Sequence, residues 1–178
     1  MTARTPKLPG GKGLVVAVAS GKGGTGKTTV ATNLAKVCAG AGLPTQYLDC
    51  DVEEPNGHIF LQPQITGREE VTVEVPEVDL AKCTGCGRCG EICQYSAIVA
   101  IGEKALTFEQ LCHSCGGCWL VCPTGAISRK PLRIGKIETG ETGAVQFVSG
   151  RLEIGHVRTP SLIRDVKRRI RSEGLAIV

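Results

Sequence analysis

The sequence predicts an α/β protein: a doubly wound parallel sheet built on a phosphate-binding loop, incomplete, and interrupted by a small α+β module that binds metal. Three observations carry this. A Val-rich run of strand length, residues 14 to 20, leads directly into "SGKGGTGKTT" and then into a helical pattern. Ten cysteines occur in 178 residues, and eight of them fall into two copies of one spacing. Aromatic residues are only 3%, so the core must be built from Val, Ile, Leu and Ala, which suits helices on a parallel sheet better than an aromatic-rich sandwich.

The run "LVVAVAS" reads as a strand covered on both faces. "TTVATNLAKVCAGAG" follows, with Val30, Leu34, Val37, Cys38 and Ala41 at helical spacing and Gly40 and Gly42 placed to stop the helix. Strand, glycine loop and helix are the context a P-loop needs, and Gly21, Gly26, Lys27 and Thr28 fit G-x-x-x-x-G-K-[ST]. In such a loop backbone N–H groups from Gly21 through Thr29, with Gly23, Gly24 and Thr25 between, close around phosphates. Lys27 is expected to reach the β- and γ-phosphates, and Thr28 to take a position on Mg²⁺. Lys22 is left over by this frame.

The eight patterned cysteines form "CTGCGRCGEIC" (Cys83, Cys86, Cys89, Cys93) and "CHSCGGCWLVCP" (Cys112, Cys115, Cys118, Cys122), an internal duplication offset by 29 residues. Three thiolates at i, i+3 and i+6 can wrap one corner of a cubane iron–sulfur cluster, while the fourth, on the turn that follows, ligates the cluster of the other repeat. The expected sets are crossed: Cys83, Cys86, Cys89 and Cys122 for one [4Fe–4S] cluster, and Cys112, Cys115, Cys118 and Cys93 for the second. Zinc knuckles would leave the third and fourth cysteines of each run unused. The second run ends in Cys122-Pro123 and the first in Cys93-Gln94, which predicts a looser turn after Cys93. Cys38 and Cys50 have no such company and read as small buried residues.

Residues 79 to 130 resemble a bacterial two-cluster ferredoxin, with all eight ligands matched. The string K-G-G-T-G-K-T resembles the deviant Walker A motif of the MinD-type P-loop NTPases, whose members include partition ATPases, the nitrogenase iron protein and Mrp-type iron–sulfur cluster carriers. That resemblance implies an ATP-dependent homodimer in which Lys22 reaches the nucleotide held by the partner, comparable in role to an arginine finger. It also implies that Asp51, after the short apolar strand in "TQYLDCDVEEPN", positions the attacking water, that Asp49 supports the metal's water shell, and that "DVEEPN" is a mobile switch. In the family a D-x-P-P-G switch follows a strand like "LAIV", residues 175 to 178, so the chain is expected to be a truncated piece of a longer domain.

The remaining segments fill in the organisation. "GAVQFVSGRLEIG" predicts a hairpin turning at Ser149-Gly150, with Val145 and Phe147 on one arm and Leu152 and Ile154 on the other. Thr159 and Pro160 open a helix whose buried stripe is Leu162, Val166 and Ile170, ended by Gly174. The expected domains are residues 1–72 and 132–178, the two parts of the P-loop ATPase, around a dicluster insert at 73–131. The net charge of +4 does not indicate nucleic acid: the basic residues are dispersed except for Arg164, Lys167, Arg168, Arg169 and Arg171, which read as a solvated helix face. Two oxidised clusters at roughly −2 each would about cancel it. No apolar run approaches a membrane span or an export signal, so a cytoplasmic protein is expected, and in that compartment the cysteines are not a disulfide framework.

Together these readings describe an ATP-binding protein that couples nucleotide-driven dimer rearrangement to electron transfer through two clusters. The alternatives are an iron–sulfur cluster carrier or assembly ATPase and a redox module that hydrolyses nothing. The expected partner is a redox protein or an apo iron–sulfur acceptor.

Overall fold

In the computed structural model residues 13–155 and 158–178 are described, so the polar, Gly/Pro-rich start of the chain lies outside the described residues. The chain divides into two units. The first contains the segments up to Val71, Gly135–Leu152 and Thr159–Val178; the second contains Thr72–Ile134 and Glu153–Arg158.

In the first unit β1 (Leu14–Val16), β2 (Thr45–Asp49), β7 (Val145–Leu152) and β8 (Leu175–Ile177) join parts of β3 (Gln64–Val78) and β6 (Ile127–Thr142) in one sheet ordered β1-β8-β2-β7-β6-β3. The β1/β8, β8/β2 and β2/β7 pairs are parallel, and β6/β7 is antiparallel. β2 is buried along its whole length, as a strand covered on both faces must be. Alternation sends Tyr47, Val145, Phe147, Leu175 and Ile177 to one face, against Ala31, Ala35 and Ala39 of α1 (Lys27–Gly40) and Leu61 of α2 (Gly57–Leu61). Leu162 and Val166 of α5 (Thr159–Lys167) seat on the other face at Gly150.

Four expectations need correcting here. β1 is an edge strand with Leu14 and Val15 about half exposed, because among the described residues only β8 pairs with it. The buried stripe of α1 is the alanine row, and Val30 and Val37 point to solvent: small side chains let the helix approach the sheet closely. The hairpin turns at Gly143 and Ala144, not at Ser149-Gly150, which run through the middle of β7, and Ile154 is fully exposed beyond it. Ile170 lies past the end of α5, while Leu162 and Val166 carry its burial.

The second unit is internally duplicated in three dimensions. Its helices α3 (Arg88–Ile92) and α4 (Gly117–Leu120) begin 29 residues apart, matching the cysteine offset. Left-handed backbone recurs at the same offset: Gly85 and Ser114 (φ 65° and 55°), Gly87 and Gly116 (80° and 86°), Ser96 and Gly125 (50° and 62°). The offset also exchanges two hydrogen bonds, Asp79 N–H to the Ala126 carbonyl (2.7 Å) and Phe108 N–H to the Ala97 carbonyl (2.8 Å). β4 (Ile98–Ile101) and β5 (Lys104–Thr107) form a separate antiparallel pair. The cores hold Cys89 and Cys118 with Ile98, Ala105 and Ile127, and Cys112 with Val75 and Ala97. So small an apolar core, with cysteines inside it, is the kind that a metal group stabilises.

Gly150 is where α5 meets the sheet: a Cβ there would stand 2.6 Å from Val166 Cγ2 and 2.9 Å from Val52 Cγ1. Gly150→Val is expected to lower stability by about 1–3 kcal/mol through overpacking; urea unfolding followed by circular dichroism measures it.

Candidate nucleotide cleft and cysteine cavities

The loop after β1 supplies the first site. Gly24 and Gly26 are left-handed (φ 71° and 87°), a conformation glycine adopts without strain, and α1 starts at Lys27 directly after Gly26. The Ser20 and Thr25 hydroxyls both donate to the Lys22 carbonyl, at 2.8 and 3.3 Å, which ties the loop to itself. The Lys22 side chain is exposed.

A cleft of about 440 Å³ opens at the C-terminal ends of the parallel strands, where ligands of α/β sheets bind. Lys27 and Thr28 line one wall, Asp49, Cys50 and Asp51 the end of β2, and Ile163 and Lys167 of α5 the far side. Gly21 to Gly26 and Thr29 are not among the lining residues, and neither is Lys22.

Asp49 is held by backbone N–H groups at the cleft edge. Its carboxylate is buried and accepts the N–H of Gly57 (2.8 Å) and of Asp51 (3.2 Å). Burial pushes its pKa up, against those two N–H donors. Burial, then the charge and hydrogen bond of Asp49, likewise push Tyr47 up. A Cβ on Gly57 would lie 2.5 Å from the Tyr47 hydroxyl and 2.8 Å from Asp49 Oδ2, so glycine is required for that approach. Tyr47, Asp49 and Gly57 therefore latch the "DVEEPN" segment to the end of β2, a role the sequence reading missed. Asp51 is exposed in the cleft and accepts the Glu54 N–H at 3.4 Å. Cys50 is only half-buried there, not a core residue, because it leaves β2 at the cleft edge.

In the second unit one cavity is lined by Cys83, Cys86, Cys89 and Cys122, and another by Cys93, Cys112, Cys115 and Cys118. Among the described residues no three His, Cys, Asp or Glu side chains form a group that could hold a single metal ion. Four cysteines on one cavity are the donor set that a four-iron, four-sulfide group takes. Donors face the thiols, with Ala97 N–H on Cys93 Sγ and Ser114 N–H on Cys112 Sγ, both at 3.3 Å. Burial raises the Cys122 thiol, but Thr124 and the backbone of Thr124, Ala126 and Ile127 outweigh it and hold Cys122 below its usual value. Burial pushes Cys118 up to about 11 and raises Cys89. Cys86 and Cys115 are exposed, again a pair at the duplication offset. The turn after Cys93 closes with the same hydrogen bond as its counterpart: Ser96 N–H bonds the Cys93 carbonyl at 3.3 Å, as Gly125 N–H bonds that of Cys122 at 3.4 Å. The rims differ, since only the second cavity has a stacked Tyr95–His113 pair and Trp119, whose ring lies under Arg129.

A mainly parallel sheet with a glycine loop between β1 and α1 and a cleft at its strand ends defines a P-loop nucleotide-binding domain. The chain belongs to the CobQ/CobB/MinD/ParA nucleotide-binding domain family, whose model matches residues 16–173. It is 31% identical over 161 residues to the uncharacterized protein MJ0579 of Methanocaldococcus jannaschii, covering 87% of this chain and 55% of that one. A 71-residue stretch, 38% of this chain, is 46% identical to an iron-sulfur cluster carrier protein of Deinococcus radiodurans, of which it covers 20%. Sixty residues, 32% of this chain, are 35% identical to a ferredoxin of M. jannaschii, MJ0722, and span 78% of it. The chain spans about half the length of the first curated relatives it matches. Among the described residues no helix is long and apolar enough to cross a membrane.

Replacing Asp49 separates the latch from a metal role. Asp49→Ala, in nucleotide-free buffer with divalent metal chelated by EDTA, is expected to lose about 2 kcal/mol of stability, from the two N–H groups left without an acceptor. Urea unfolding checks this; an unchanged midpoint would return Asp49 to the metal.

Proposed function

We propose that this chain binds Mg·ATP at the P-loop cleft and two [4Fe–4S] clusters in a ferredoxin-like insert, and that nucleotide state controls electron transfer. The observation that carries the reading is the sorting of eight cysteines into two cavities, each with three from one run and one from the other. When bound, the clusters supply low-potential one-electron chemistry. The chain's own residues hold thiolates in place, aim N–H donors at them and leave Cys86 and Cys115 near solvent for electron exchange.

In the nucleotide cleft Lys27 counters the β- and γ-phosphates, Thr28 offers its hydroxyl to Mg²⁺, and Asp51 orients the attacking water. The exposure of Lys22 and its place outside the cleft lining fit a deviant Walker A lysine that acts on the nucleotide of a second copy in a homodimer. Electron delivery to a redox protein is preferred over carriage because complete four-cysteine sets suit permanent ligation. Carriage to an apo acceptor is the second reading, favoured by the likeness to a cluster carrier.

The crossed ligation has a sharp test. After anaerobic reconstitution the chain is expected to hold about eight iron atoms. Cys93→Ala combined with Cys112→Ala should leave about four, because both belong to one set. Cys93→Ala combined with Cys83→Ala should leave almost none. Uncrossed ligation reverses the two results, and an absence of iron in the parent protein would overturn the reading.

A further inference from the structure

The basic cluster near the end of the sequence does not behave as one solvated face. Arg168 pairs with Asp165 (2.6 Å), and Arg169 pairs with Glu69 and donates to the Asp165 carbonyl. Among the described residues Lys167 forms no ion pair, and it is the member of the group that lines the P-loop cleft. Its placement follows from the helix: Leu162 and Val166 are fully buried against the sheet, which turns the i, i+4 pair Ile163 and Lys167 toward the cleft. The N-terminal end of the same helix is tied to the candidate switch segment by the Thr159 hydroxyl, which donates to Glu53 Oε1 at 2.7 Å. The Lys167 charge is felt inside the cleft, where it opposes the burial that raises the Cys50 thiol.

The cleft otherwise gathers two carboxylates, Asp49 and Asp51, around one cation, Lys27. A nucleoside triphosphate adds several more negative charges, so a second cation on the facing wall has a clear electrostatic purpose. We infer that Lys167 is a further phosphate-contacting residue, acting within its own chain on the polyphosphate tail of the bound nucleotide. It acts from the wall opposite Lys27, and the inference rests on the P-loop cleft being the nucleotide site. Lys167 is a different charge from Lys22, which lies outside the cleft lining.

Lys167 is exposed, so its replacement is not expected to disturb folding. Equilibrium binding of ATP, ADP and AMP with Mg²⁺ to the full chain, its clusters reconstituted, tests the inference, with Lys167→Gln, Lys167→Glu and Lys167→Arg compared. The expected result is about tenfold weaker ATP binding for Lys167→Gln, a larger loss for Lys167→Glu, and near-parental affinity for Lys167→Arg. The loss should shrink from ATP to ADP and vanish for AMP, a grading that a merely structural lysine would not produce. Parental ATP binding together with Lys167→Gln and Lys167→Glu affinities within about twofold of it would overturn the inference and leave the nucleotide reading standing. A parental chain that binds no nucleotide would instead remove the reading on which the inference rests.

Discussion

Each cavity of the second unit needs three thiols from one loop and a fourth from the other, and much of that unit follows from meeting the requirement twice. The loops must turn sharply enough for Cys83, Cys86 and Cys89 to face one space, which places left-handed backbone at Gly85 and Gly87 and again at Ser114 and Gly116. At Gly85 no side chain fits, since a Cβ would stand 2.5 Å from the Glu103 backbone. The fourth cysteine of each run must leave its own loop, and a short helix followed by a turn at Ser96 or Gly125 carries it away. The buried cysteines occupy positions that larger apolar side chains fill in ordinary cores, so the proposed ligation would link metal and fold here.

The first unit solves a different problem, collecting anionic phosphate and carboxylates at one end of a sheet. Parallel strands bring the ends of β1, β2 and β8 together, and the glycine loop opens α1 toward them. The buried Asp49 spends its oxygens on Gly57 and Asp51, so the segment between is anchored at both ends while Asp51 itself stays exposed. The water-orienting role proposed for Asp51 would need that combination of fixed backbone and free side chain.

Local chemistry made the P-loop, the strand feeding it, α1 and the two cysteine runs legible in the sequence. Spacing alone also paired Cys122 with the first run and Cys93 with the second, the grouping that lines the two cavities. What escaped depends on contacts between distant segments. The stripe of α1 was misread because Val30 and Val37 outrank alanine in hydrophobicity, whereas close packing selected Ala31, Ala35 and Ala39. Ser149-Gly150 looks like a turn until Val166 is placed above Gly150. β3 was not predicted, although Ile65, Val71, Val73 and Val75 keep a period of two. The Tyr47, Asp49 and Gly57 latch had one available signal, a tyrosine two residues before an aspartate on a strand.

The central claim is that nucleotide and clusters act on one another within a single chain, a coupling between two sites that must appear in the properties of both. The most direct measurement is the reduction potential of the clusters, taken anaerobically with and without Mg·ATP at concentrations where binding is shown to be saturated. The account predicts a shift of at least about 30 mV, a coupling of about 0.7 kcal/mol for a one-electron centre. Unchanged potentials with nucleotide demonstrably bound would contradict it.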